Sequence, residues 1–180
     1  MAKINSKNKG NRFERAMCKF FTEWTGYEFS RVPASGGLRW KKTDNITSDI
    51  TCTDPKHSKK FPLSIECKSY SDLKFEHILL GVKSCKILAF WEQAKSDAER
   101  GNKIPILIMK YNNMPRGEAF VMVDNRLIDL VLSDSGKFKK PTMVINTKEE
   151  KLGIFMLSDI STIDYNLFYK KIKNRNKKNQ

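Results

Sequence analysis

Apolar residues recur at helical spacing ahead of Gly26: Phe13, Met17, Phe20, Phe21 and Trp24 form one stripe between charged positions. The spacing predicts an amphipathic helix with Gly26 as its C-terminal stop. Tyr27 to Val32 reads as a short strand running into Pro33-Ala34-Ser35-Gly36-Gly37, whose composition breaks regular structure. From Ser48 to Thr53 the period becomes two, with Ile50 and Cys52 on one side and Asp49 and Thr51 on the other. A turn at Asp54-Pro55-Lys56-His57-Ser58 leads to a second alternating stretch, Phe61 to Tyr70. There Leu63, Ile65 and Cys67 oppose Ser64, Glu66 and Lys68, and Pro62 belongs at the strand's start or on an edge. Two strands joined by a short loop predict an antiparallel hairpin.

Helical spacing returns from Cys85 to Arg100, carried by Ile87, Leu88, Trp91, Ala94 and Ala98 and ending near Gly101. Ile104 to Lys110 and Glu118 to Val123 are apolar runs of strand length, separated by a turn-like segment from Asn112 to Gly117. The order helix, three strands, helix, two strands predicts an α/β fold with a central mixed β-sheet flanked by helices. Beyond Asn125 the pattern weakens. Thr142 to Ile145 and Ile154 to Leu157 read as short strands around a charged turn. Ser161 and Asp164 resemble a capping box ahead of a helix carrying Ile163, Leu167 and Ile172. After Lys170 only Ile172 is apolar, so a fraying basic tail is expected. There is no internal repeat. The expected organisation is one domain: a core over 1–125 with a basic N-terminal arm, and a C-terminal extension of the same domain over 126–180.

Composition adds a class of partner. Lysine and arginine number 34 against 20 acids, a net charge of +14 that favours polyanions such as nucleic acid or an anionic membrane. No apolar run approaches the roughly 20 residues needed to span a bilayer, and no amphipathic lipid-binding helix or acylation signal supports attachment to a membrane surface. Met1 to Arg12 is polar and basic, without the apolar stretch of a secretory signal, so the expected location is the cytoplasm. Cys18, Cys52, Cys67 and Cys85 form no Cys-x-x-Cys pair, and with only His57 and His77 beside them they make a poor zinc site; four reduced thiols are expected.

The residues that carry chemistry lie on the two alternating strands. Glu66 and Lys68 project from one face of the second, and hairpin pairing brings Asp49 beside Glu66. Two hard oxygen ligands on rigid strands suit Mg²⁺, which keeps several waters and bridges to phosphate readily. Lys68 would orient the attacking water or neutralise charge on the phosphorane. Asp…Glu-x-Lys alone is short and frequent, and a solvated sheet face produces it too. Other blocks change the balance: Lys9-Gly10-Asn11-Arg12-Phe13-Glu14-Arg15, Arg31-Val32-Pro33-Ala34-Ser35-Gly36-Gly37, Asp49-Ile50, Glu66-Cys67-Lys68 and Glu92-Gln93-Ala94 occur in one order.

That series resembles the archaeal-type Holliday junction resolvases, a branch of the PD-(D/E)XK nuclease superfamily, over roughly the first two-thirds of the chain. The resemblance implies a restriction-endonuclease-like core and places catalytic roles on Glu14, Ser35, Asp49, Glu66 and Lys68. It implies metal ligation by Glu14, Asp49, Glu66 and the backbone carbonyl of Cys67. It further implies a Mg²⁺-dependent homodimer, with Mn²⁺ as a substitute, that cuts paired strands of a four-way DNA junction symmetrically in a bacterial, archaeal or virus-infected host cell. Ser48 stands where the family has proline, and the C-terminal third has no matched counterpart.

Supporting residues have plainer readings as well. Glu14 is equally a surface carboxylate beside Arg15 or Lys19, and Ser35 is equally a turn residue, although a Gly-rich loop with a hydroxyl suits a phosphate. Gln93 is a second-tier site that would orient a water or Lys68. Arg12, Arg15, Arg31, Arg39, Lys41 and Lys42 bracket the site in sequence and would neutralise DNA phosphates. Two rivals remain: another PD-(D/E)XK endonuclease of restriction or repair type, and a noncatalytic basic DNA-binding protein.

Overall fold

The structure is a computed structural model that describes residues 6–32, 48–132 and 140–178. Its centre is a seven-stranded mixed sheet in the order β1-β2-β3-β4-β5-β7-β6. The strands are β1 Phe29–Arg31, β2 Ile50–Cys52, β3 Leu63–Ser69, β4 Ile104–Lys110, β5 Phe120–Asp124, β6 Met143–Asn146 and β7 Lys151–Met156. Among the described residues six helices accompany them: α1 Ser6–Thr25, α2 Glu76–Leu79, α3 Lys86–Arg100, α4 Asn125–Leu132, α5 Leu157–Ser161 and α6 Tyr165–Lys178. β3 and β4 are parallel over their whole length and joined by the α2–α3 crossover, while the other neighbours are antiparallel. The mixed sheet with flanking helices is the architecture that the hydrophobic pattern predicts.

The two-residue period sorts the side chains to two cores. One face of the sheet sends Leu63, Ile65 and Cys67 of β3 and Ile106 and Ile108 of β4 against Phe13, Met17 and Phe21 of α1. The C-terminal helices share that core through Tyr165, Phe168 and Ile172. The other face sends Leu107, Met109, Met122 and Ile154 against Ile87, Trp91 and Ala94 of α3. Glu66 and Lys68 lie on this second face, so α3 is the wall opposite them.

Several expectations change in detail. The antiparallel pairing of β2 with β3 is present, but its register holds only Ile50 against Ile65. The connection is long enough to include a short 3-10 turn over Ser58–Lys60. Helix α4 was not foreseen; the Asp124 carboxylate accepts the N–H of Arg126 at 2.9 Å and starts it. Asp164, rather than Ser161, caps α6 by accepting the N–H of Leu167 at 2.9 Å. The expected frayed tail is helical to Lys178, because Tyr165, Phe168 and Ile172 give that helix an apolar stripe to bury. Trp24 of α1 ties to the same region, donating to the Ile163 carbonyl at 2.7 Å and packing on Tyr165 and Phe168. All four cysteines are free thiols. Among the described residues, no helix is long and apolar enough to cross a membrane.

Candidate active site

The short pairing of β2 with β3 creates the site. After Ile65 the outer edge of β3 loses its partner strand, and alternation turns the N–H and C=O of Cys67 toward that open edge. The chain supplies a side-chain acceptor there: Asp49, immediately before β2, accepts the Cys67 N–H on Oδ2 at 2.8 Å. Its own N–H donates to the Ile65 carbonyl at 3.1 Å, so Asp49 is fixed by both backbone and side chain. Ser48 is buried and turns its hydroxyl back to the Ile50 carbonyl at 3.1 Å, which holds the approach to β2.

One residue along on β3, Glu66 points to the α3 face and is only 3% exposed. Its Oε1 accepts from Lys68 Nζ at 2.6 Å and from Gln93 Nε2 at 2.8 Å. Lys68, two positions on, shares the face, and Gln93 reaches across from α3. The structure therefore brings Asp49, Glu66, Cys67, Lys68 and Gln93 together at one end of β3.

The electrostatics record the burial of two neighbouring carboxyls. Glu66 is pushed up to about 7, first by loss of water and then by the Asp49 charge, against the pull of Lys68. Asp49 is also raised, again chiefly by burial, with Glu14 and Asp97 adding repulsion that the Cys67 N–H and Lys68 oppose. Burial works to lower Lys68, but its hydrogen bond to Glu66 and the two carboxylate charges outweigh that, and its pKa is raised. Lys68 bonds Glu66, while Arg31 and Arg100 pair Glu14 and Asp97.

Glu14 projects from α1 and is held by Arg31 at 2.5 Å, while a second Arg31 nitrogen donates to Asn11 Oδ1 at 2.6 Å. Arg31 sits at the end of β1 and is thus engaged within the protein, whereas Arg12 and Arg15 are exposed on α1. Among the described residues, no group of three or more His, Cys, Asp or Glu is arranged to hold a metal ion. Ser35, Arg39, Lys41 and Lys42 lie outside the described residues. Sequence reasoning passed over Asn11, Asp97, Tyr70 and Phe90. Of these Tyr70 was legible, since it continues the two-residue period of Glu66 and Lys68; Phe90 lies outside the apolar stripe read for α3, and its ring lies beneath Lys68 at 5.6 Å.

The chain is similar to known proteins in three comparisons. Protein D14 of Escherichia phage T5 is 27% identical over 154 residues, spanning 84% of this chain and 88% of the relative. Among solved structures, a Holliday junction resolvase, Hjc, of Archaeoglobus fulgidus is similar over 88% of this chain and 91% of that one, at 14% identity and a TM-score of 0.37. The model of the family described as "Phage putative PDDEXK endonuclease" matches residues 5–174. Matched over most of its length, the chain belongs to this phage PDDEXK endonuclease family.

Proposed function

We propose that this chain is a Mg²⁺-dependent endodeoxyribonuclease that acts on branched DNA as a Holliday junction resolvase, with Asp49, Glu66 and Lys68 at its centre. The observation that carries the catalytic part is Asp49 at the open edge of β3 within electrostatic reach of Glu66 on its α3 face, with Lys68 bonded to Glu66. The junction preference draws on the ordered sequence blocks from Lys9 to Ala94.

The donor set fits a hard divalent cation. Two carboxylates and the Cys67 carbonyl are oxygen donors, few enough to leave room for the waters and phosphate oxygen that Mg²⁺ retains. The raised pKa values of Asp49 and Glu66 come first from burial and then from neighbouring acids, and a dication bound between them would favour their charged forms. Such an ion supplies Lewis-acid polarisation of a phosphoryl oxygen and a lowered pKa for water. The remaining work falls to the protein. Gln93 and Lys68 both hold Oε1 of Glu66, which fixes the carboxylate's orientation. Lys68 is kept protonated and sits where it neutralises charge that builds on the phosphorane during in-line attack. Glu14 joins the ligand set once Arg31 releases it, and Ser35 contributes a hydroxyl to a phosphate. Arg12, Arg15 and Arg31, with Arg39, Lys41 and Lys42, bind the DNA arms through their phosphates. A homodimer matches the two-fold symmetry of a four-way junction and places a site on each of two opposed strands.

The test incubates the purified chain and its Asp49→Asn variant with a synthetic four-way junction and with linear duplex of the same sequence, in Mg²⁺. Paired symmetric nicks in the junction, lost in Asp49→Asn with binding retained, are the expected result. Equal cutting of the duplex would move the chain to the restriction or repair type of PD-(D/E)XK endonuclease. Binding with no cleavage in any divalent metal would leave a noncatalytic DNA-binding protein.

A further inference from the structure

We propose that the cleft beyond Lys68 is a pocket for one unpaired nucleotide of the DNA strand at the active site, with Tyr70 and Phe90 as its stacking surface. The proposal rests on the reading of the chain as a DNA endonuclease and adds a physical basis for a preference for branched over continuous duplex DNA.

The cleft lies between the end of β3 and the start of α3, with His77 of α2 on one side, and has a volume of about 380 Å³. That lies within the range of small-ligand pockets, roughly 300–1,000 Å³. Tyr70 and Phe90 line it with ring centroids 4.8 Å apart and planes inclined at 41°. The rings therefore meet at an angle instead of covering each other's faces, which leaves aromatic surface for a third ring. Cations accompany both: Lys86 Nζ lies 5.7 Å from the Tyr70 centroid, and Lys68 Nζ lies 5.6 Å from that of Phe90. Lys74 and His77 add further donors to the lining, against one acid, Asp72. Aromatic faces interleaved with cations are the chemistry that holds single-stranded nucleic acid, since every base has a π-face and every link carries a negative charge.

Continuity with the active site supplies the direction. Glu66, Lys68 and Tyr70 follow one another at the two-residue period of the same strand face, and the Phe90 ring beneath Lys68 belongs also to the cleft wall. A strand whose phosphate meets Lys68 thus presents its neighbouring nucleotide to Tyr70. In a continuous duplex that base is paired and stacked, and extracting it costs a few kcal/mol; at a branch point it is already free or nearly so.

The experiment measures binding of the full chain carrying Asp49→Asn, in Ca²⁺, to a four-way junction, a flapped duplex and a continuous duplex. A 2-aminopurine at the branch point reports stacking. Adding Tyr70→Leu or Lys86→Gln is expected to weaken junction and flap binding about ten-fold and to leave duplex binding within about two-fold, and Tyr70→Leu is expected to abolish 2-aminopurine quenching. Lys86 is exposed, so Lys86→Gln keeps the test decisive where Tyr70→Leu does not fold. Equal losses on all three DNAs, or no loss on any, would overturn the cleft proposal while the endonuclease reading stands. Failure of the unsubstituted chain to bind or cut any DNA would overturn both.

Discussion

Glu66 carries its charge at 3% exposure against a single ammonium, and its carboxyl is pushed up to about 7 from an ordinary 4.5, by burial first and by Asp49 second. A folded pKa above the unfolded one means that the folded state binds the proton more tightly. Its contribution to stability is therefore fully present below about 4.5 and is lost as pH rises through about 7. Thermal denaturation of the metal-free protein and of Glu66→Gln reads this directly. The unsubstituted chain should lose stability relative to the variant as pH rises, by up to roughly 3 kcal/mol, and parallel curves would refute the electrostatic account. The same argument applies to Asp49. Neutralising it in Asp49→Asn should raise the metal-free Tm, whereas Mg²⁺ should raise the Tm of the unsubstituted chain and not of the variant. An identical Mg²⁺ response in both proteins would remove Asp49 from the ligand set. Gln93 offers a gentler probe. Gln93→Leu keeps bulk but frees Glu66 from one donor, and should lower kcat about ten-fold or more with the Tm little changed; unchanged kcat would make its hydrogen bond merely structural.

At the scale of elements, sequence and structure agree where a segment has one clear period and one buried face. Ile104–Lys110 is β4 as the pattern predicts, and α3 begins one residue after the predicted start. Asp49, Glu66 and Lys68 were legible for that reason, since alternation alone puts Glu66 and Lys68 on one face and a hairpin brings Asp49 alongside. The less legible parts have physical causes. Asn125–Leu132 is so densely apolar and so short that a helical period cannot be told from a buried strand. Its start signal was Asp124, which the strand reading had no use for. Glu14 was legible as a charged neighbour of the apolar stripe, but its partner Arg31 is 17 residues away and found only by folding. Helix α4 also explains Gly153 in β7, whose added Cβ would stand 2.8 Å from Ile128 Cγ1 and 2.9 Å from its Cδ1. Ile128 is completely buried and cannot step aside. Gly153→Ala should cost about 1–3 kcal/mol in urea denaturation. Combining it with Ile128→Ala should cost less than the sum of the two single changes, because the second removes the atoms that the first strikes. Strict additivity would show that the helix relaxes away from the strand instead.

For the whole molecule the decisive quantity is the distribution of 34 basic residues against 20 acids. Part of that excess is already spent inside the protein: Arg31 on Glu14, Lys68 on Glu66 and Lys95 on Glu150. These pairs release few counterions when DNA binds. Arg12 and Arg15, by contrast, stand exposed on α1, and Lys9 on the same helix donates to the Tyr70 carbonyl at 2.9 Å, which fixes the start of α1 against the end of β3. Helix α1 thus runs past the site with its guanidinium groups turned to solvent. If they meet phosphates, each contributes about −0.9 to the slope of log K against log salt. Arg12 and Arg15 alone would lower junction binding by the Asp49→Asn protein about ten-fold between 50 and 200 mM salt, and six or more phosphate contacts in all would lower it by roughly 10³. Arg12→Ala and Arg15→Ala should each reduce the slope by about 1. Arg31→Ala should reduce it less and instead disturb cleavage, since it frees Glu14. A flat salt response, or a slope that only Arg31→Ala changes, would mean that the DNA lies elsewhere than along α1.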